Sequence, residues 1–292
     1  MRVTLLGTGG SAGVPMIGGP GSAGNWGACD PGEGRNRRTR SSIFIENTQD
    51  QRLLIDCSPD LRCQFLDNRL SGVDVILFTH AHADHIAGID EVRALNRIVQ
   101  RPLEAFATRQ TLDEIIRRFA YAFAPWTNSP FYRPVLMAKP INAGETIRIA
   151  GLDVRVFVQE HGRIESLGLR IGPFGYSTDV TNLNEAALET LTGVDTWVVG
   201  CFLRHDAHRT HANLPKVFEW VARLRPRRTV LTHMGPDMDW AWLRANLPAG
   251  IEPGYDGMVL DFSAEATQTA SSTVSNPGTP GQPVRTAAGT TG

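Results

Sequence analysis

The chain has 292 residues, 41% of them apolar and 20% charged, which is enough for a substantial core in one large domain or two small ones. The 29 basic and 30 acidic residues nearly cancel, so no net field announces a nucleic-acid or membrane partner. No run approaches the ~20 apolar residues of a membrane span, and the few residues before Gly7 fall short of a signal-peptide apolar segment. A soluble, cytoplasmic chain is expected. Cys29, Cys57, Cys63 and Cys201 form no C-x-x-C pair, and a core this large needs no disulfide staples.

The opening RVTLL reads as a strand that runs into Gly7-Thr8-Gly9-Gly10-Ser11-Ala12, a match to the loose dinucleotide fingerprint. Context rejects that reading. Val14-Pro15 and a second glycine-rich run follow where a helix is required, and Asp30 and Glu33 lie in a loop. The basic cluster RNRRTR at 35–40 reads as a solvated loop that could contact phosphate. SIFIE and RLLID are strands joined across NTQDQ. VDVILFTH is an apolar run of the kind that a strand buried on both faces shows.

IAGIDEVRALNRIV and QTLDEIIRRFAYAF read as helices, and TIRIAGLDVRVFV and LGLRIGPFGYSTD as hairpins. TWVVGC, RTVLTH and MVLDF are further strands. NLPKVFEWVARL is a helix with Asn213 as its N-cap and Pro215 in the first turn. Hairpins with interspersed helices predict an α/β fold of packed sheets with helices outside. From about Ala264 the chain is rich in Thr, Ser, Gly and Pro without aromatic residues, so residues 1–263 are expected to fold and 264–292 to form a disordered tail.

The chemistry concentrates in Thr79-His80-Ala81-His82-Ala83-Asp84-His85, at the C-terminal end of a buried strand. Strand ends that lead into helices are where open α/β architectures place ligands. Imidazole and carboxylate together suit zinc, manganese or iron. His80 and His82 point the same way if strand geometry persists, and Asp84 and His85 lie past the turn, where they can face a second ion. One ion would leave donors unused, so more are expected at other strand ends. His161, Asp179 and His233 each end a predicted strand and supply them.

The order H-x-H-x-D-H, His, Asp, His resembles the metallo-β-lactamase superfamily. The resemblance implies an αββα sandwich, two mixed sheets face to face with helices outside. It implies two divalent ions: His80, His82 and His161 on the first, Asp84, His85 and His233 on the second, and Asp179 between them. Asp56, ending LLIDCS, matches a carboxylate that orients a ligand histidine; a turn carboxylate capping the next segment reads equally well.

Three segments, TLLGTGGSAGVP, RTHANL and LTHMGPDMDWAWLRANLPAGIEPGYDGM, resemble the PhnP-like phosphodiesterases, which open a cyclic phosphate on ribose. This resemblance covers residues 1 to about 262. It implies that His211, in RTHANL, contacts the phosphate and protonates the leaving alkoxide, and that Asp84 belongs to the catalytic set. His205 and His208 share that loop and read as solvated. Gly7, Gly9 and Gly10 would let the backbone turn close to the ions, with an N–H of Gly9 or Gly10 touching phosphate. Family members often hold a structural zinc with several cysteines after the opening loop. Here only Cys29 is present and no histidine follows His233, so no such zinc is expected; loop 18–36 is expected to be held by packing, with Trp26 a candidate, or to be mobile.

The reading is a phosphodiesterase in which a metal-bridging hydroxide attacks a small phosphodiester, cyclic ribose or nucleotide phosphates included. Its rivals are an RNA 3′-processing nuclease, a lactone or thioester hydrolase on the same metals, and a nucleotide-binding protein without turnover. The RNA rival predicts that Arg37 and Arg38 bind substrate. The expected partner is a small phosphorylated molecule rather than a membrane or nucleic acid.

Overall fold

The computed structural model describes residues 1–127 and 130–262. The predicted tail, 264–292, lies outside the described residues. Two sheets of seven strands each organise the chain. The first contains β1 (Arg2–Gly7), β2 (Ser42–Glu46), β3 (Arg52–Ile55), β4 (Val75–Leu77), β5 (Leu103–Thr108) and β6 (Leu136–Ile141), with β14 (Met258–Asp261) beside β1. The second contains β7 (Thr146–Ile149), β8 (Leu152–His161), β9 (Ile164–Ile171), β10 (Phe174–Ser177), β11 (Thr196–Gly200), β12 (Arg228–Thr232) and β13 (Ile251–Pro253), paired in that order. Each sheet is antiparallel through its hairpins and parallel where helices intervene, from β3 to β6 and from β10 to β13.

The central strands of both sheets are buried on both faces, which explains the unbroken apolar runs of β2, β4 and β11. Leu6, Phe44, Leu54 and Ile76 of the first sheet join a core with α1 (Leu61–Asp67), α3 (Val92–Val99) and α4 (Arg109–Arg118). Trp197, Val199 and Leu231 of the second join α5 (Glu185–Leu191), α6 (Leu214–Leu224) and α7 (Trp240–Asn246). The alternate residues, such as Leu5, Ile43, Val198 and Val230, are equally buried and face inward between the sheets. A cross-sheet hydrogen bond from Leu167 N to Thr79 O, 3.0 Å, ties the sheets together at the strand that carries the histidine motif.

Two predicted helices are broken. The predicted helix at 86–99 begins with the last residue of the short α2 (Ala83–Ile86) and continues as a 3-10 turn and then α3. Gly88 lies at the break against the Ser58 backbone, where a Cβ would sit 2.0 Å from a carbonyl oxygen. α4 stops at Arg118 because Phe119 leaves helical geometry with φ −125°.

The basic cluster is a solvated loop only in part: Arg35 and Arg37 are exposed, and Arg38 is not. Arg38 is 2% exposed. Its guanidinium donates to Met238 O (2.6 Å), Asn36 Oδ1 (3.2 Å) and Gly235 O (3.4 Å), and lies 3.8 Å from Cys29 Sγ. Arg35 pairs with Glu33 and lies over Trp240, Arg37 lies over Trp26, and Arg40 pairs with Asp60. Loop 18–36 is therefore held by more than Trp26. Ala28 N donates to Pro236 O, while Asp239 Oδ2 accepts from Asp30 N and Asn36 Nδ2. This polar knot fixes the loop to the segment that follows His233.

Candidate metal centre

The C-terminal ends of β3, β4, β8, β10 and β12 converge and deliver Asp56, the His80–His85 motif, His161, Asp179 and His233. Asp56, Asp179 and His233 all have positive φ, at 64°, 46° and 52°. Left-handed backbone is uncommon outside glycine, though Asp and His tolerate it best, and it lets each chain leave its strand while the side chain stays at the convergence point.

Two donor groups result. His80, His82, His161 and Asp179 form one; Asp84, His85, Asp179 and His233 form the other, with the donor atoms of each group within 4.8 Å of one another. Asp179 belongs to both. Its Oδ1 lies 3.4 Å from His161 Nε2 and 4.0 Å from His80 Nε2. Its Oδ2 lies 2.9 Å from His85 Nε2 and 3.1 Å from His233 Nδ1. Asp84 Oδ2 completes the second group, 3.3 Å from His85 Nε2.

Whether these groups fit cations is decided by what the other imidazole nitrogens do. His85 Nδ1 meets Asp56 Oδ2 at 2.7 Å, His80 Nδ1 meets Thr79 Oγ1 at 3.0 Å, and His161 Nδ1 donates to Thr210 O at 2.6 Å. With the proton on Nδ1, each ring turns the lone pair of Nε2 into the centre. The Nε2 atom of His80 is buried with no hydrogen-bond partner among the described residues, and that of His85 faces the carboxylate oxygens of Asp179 and Asp84. Burial opposes charge on His85, but Asp179, Asp56 and Asp84 outweigh it and hold this imidazole well above the ordinary histidine range. Converging lone pairs inside an excess of carboxylate are what divalent cations satisfy, and this donor set suits zinc, manganese or iron.

Asp56, fully buried, accepts from Thr79 N and Thr79 Oγ1, both at 2.8 Å, as well as facing His85. It caps no following segment; its hydrogen bonds reach across to the strand that carries the motif. His211 stands beside both groups, its Nδ1 3.8 Å from Asp179 Oδ1 and its ring stacked on His233 with centroids 4.7 Å apart. Burial, and then His233, pull its pKa down to about 3. His208 is exposed and stacks on His211, and His205 turns toward Trp242; neither joins a donor group.

The glycine loop needs one correction. Gly9 N donates to Thr39 O and Gly10 N to Met234 O, so neither N–H is free for phosphate. Glycine is required at position 10 for closeness instead: a Cβ there would lie 2.7 Å from the Phe202 ring, which packs against His211 and His233. Sequence reasoning also missed Ser41, whose Oγ lies 3.1 Å from His233 Nδ1, and the carbonyl of Thr210. A serine just before a strand carries no signal that would mark it, and a carbonyl carries none at all.

The model of the β-lactamase superfamily domain matches residues 51–234, and the chain belongs to that superfamily. With this donor set, it is a hydrolase of the metallo-β-lactamase class. Within the class it falls in the PhnP family: a crystal structure of a diphosphatase of that family is 31% identical, with a TM-score of 0.79, covering 90% of this chain and 98% of its own. Zinc-bound PqqB from Methylobacterium extorquens shares the fold at TM-score 0.72 and 19% identity, over 90% of this chain and 100% of that one. Among curated sequences, an octanoyltransferase of Porphyromonas gingivalis is 29% identical over 261 residues, 88% of this chain and 51% of that protein. The chain thus spans about half the length of this curated relative. Among the described residues no helix is long and apolar enough to cross a membrane.

Proposed function

We propose that the chain is a dinuclear-metal-dependent phosphodiesterase for small phosphodiesters, with cyclic ribose or nucleotide phosphates among its substrates. The observation that carries this reading is Asp179, whose two carboxylate oxygens face two separate donor groups beside His211. His80, His82 and His161 would hold one ion, Asp84, His85 and His233 the other, and Asp179 both. When bound, such ions supply Lewis acidity and an activated water at neutral pH. Similarity to a PhnP-family diphosphatase supports phosphorus as the centre attacked.

His211 is the residue assigned to the leaving oxygen. Its imidazole is neutral in the resting pocket, because burial and His233 disfavour the charge. A phosphate anion against the ring would favour the imidazolium and return the proton that a general acid needs. Phe202 packs against the ring, with centroids 5.0 Å apart. The RNA reading loses one of its two proposed contacts, since Arg38 is buried on carbonyl groups, while Arg37 lies exposed over Trp26.

The test is a substrate panel: bis-p-nitrophenyl phosphate, cyclic ribose phosphates, a diphosphate, RNA, a lactone and a thioester, each with zinc, manganese and iron. Phosphodiester turnover that disappears after chelation and in His80→Ala is expected. Turnover confined to the lactone or thioester, or full activity in His80→Ala, would overturn the reading.

A further inference from the structure

The donor histidines are not all held alike. His80, His161 and His85 each engage a protein oxygen through Nδ1, those of Thr79, Thr210 and Asp56. His82 has no such partner. Its Nδ1 lies 3.1 Å from His161 Nε2, within the group of His80, His82, His161 and Asp179, and its ring makes no other hydrogen bond among the described residues. It is also exposed, while the other members of that group are buried. The aim of this imidazole must therefore come from the backbone beneath it.

Local structure supplies little of that hold. His82 precedes α2 with φ −68° and ψ 151°, and its side chain makes no capping hydrogen bond. α2 is a single turn of four residues, too short to be stable by itself. Between the motif and α4 lies a cavity of about 50 Å³, lined by His80, Ala81, Thr111 and Glu114 among others, so packing between the two is incomplete. One side chain joins them. Arg118, the last residue of α4, donates through Nη1 to Ala81 O at 2.6 Å, and its Nη2 meets Glu114 one turn back on the helix. Among the described residues no other side chain hydrogen-bonds to the backbone of 80–82. α4 is itself anchored in the core by Leu112 and Ile115.

We infer that Arg118 is a positioning residue for His82: it ties the backbone of the motif to α4 and thereby aims this imidazole at the ion of the first donor group. The inference rests on the dinuclear reading. A tether and a bare charge predict opposite signs. A guanidinium that acted only through its field would repel a cation, so its loss would tighten ion binding. A guanidinium that acts as a tether weakens ion binding when it is lost. Glu114 beside it offsets the field and leaves the charge-assisted hydrogen bond to Ala81 in place.

Zinc affinity is measured by chelator competition in His233→Ala protein, whose remaining ion is held by the first group, with and without Arg118→Ala. The second substitution should weaken that ion about ten-fold, the low end of the range for partners of ligand histidines, and Arg118→Lys should recover part of the loss. In His82→Ala protein, whose remaining ion is held by the second group, Arg118→Ala should change affinity little. Unchanged or tighter binding in the His233→Ala background, or equal weakening in both backgrounds, would overturn the assignment. Wild-type protein that binds fewer than two equivalents would overturn the dinuclear reading instead. In that case, or if neither background retains an ion, amide hydrogen exchange of the metal-free wild type and Arg118→Ala decides the tether alone. Exchange over residues 80–84 that is at least ten-fold faster in the variant, with β11 unchanged, supports it; unchanged or uniformly faster exchange overturns it.

Discussion

Asp56 and His85 meet at 2.7 Å with both side chains fully buried, and this contact sets which nitrogen His85 turns to the second donor group. Asp56→Asn keeps the volume but offers only one oxygen to three donors. Second-tier partners of ligand histidines typically contribute 10–100-fold to metal affinity. The variant is expected to bind the second equivalent of zinc about 10–100-fold more weakly, measured by competition with a chromophoric chelator. Undiminished affinity would contradict the orienting role.

Asp179 predicts a different pattern. Because its oxygens serve both groups, Asp179→Ala should lower the occupancy of both ions. His233→Ala should release one equivalent and leave the other, since His233 belongs to one group only. Elemental analysis of protein purified without added metal separates these outcomes.

His211→Ala should leave metal content unchanged and lower kcat about 10²–10⁴-fold, the usual range for losing a positioned proton donor. Substrates with an acidic leaving group such as p-nitrophenol need that proton least, so their loss should be smaller. A uniform loss across leaving groups would instead assign His211 to binding.

Arg38 carries a stability prediction. Arg38→Met removes the hydrogen bonds to Met238 O, Asn36 Oδ1 and Gly235 O, and leaves buried acceptors without donors. A cost of about 2–4 kcal/mol is expected from stranded buried polar groups, read as a lower urea midpoint. Arg38→Lys should recover little of it, because one ammonium cannot span the same acceptors.

Asp256 carries a pH prediction. Thr8 and Thr39 each donate a backbone N–H and a hydroxyl to its carboxylate, at 2.6–2.9 Å. Burial outweighs these donors and pushes the group from 3.8 up to about 6. A raised carboxyl binds its proton more tightly in the native state than in the unfolded chain. The stability it adds is therefore complete below about pH 4 and lost as pH rises through about 6. Unfolding free energy should fall by about 2 kcal/mol across that window from this group, and Asp256→Asn should remove that part of the slope. Urea titrations of both proteins at several pH values provide the comparison.

The donor order was legible in the sequence because it depends on residue type and strand-end position, both local properties. His80, His82, Asp84, His85, His161, Asp179 and His233 were all readable in that way, and the structure places them within two groups. Three strands were missed, the short β13 (Ile251–Pro253) among them. LEAFAT of β5 has few β-branched residues, and LMAKPI of β6 contains Pro140, which an edge strand tolerates. Ser41 was invisible because its partner, His233, is 192 positions away. Arg38 misled because a run of arginines looks hydrated until the carbonyls that surround one of them are known.

Thr210 ties two evolutionary variables into one. Its carbonyl orients His161, its neighbour Arg209 lines the cavity beside His82 and His161, and His211 is the next residue along the chain. Lengthening or reshaping this loop to admit a new substrate would disturb the imidazole that grips an ion. Divergence of specificity here should come through single side-chain exchanges, with the loop's length and path held fixed.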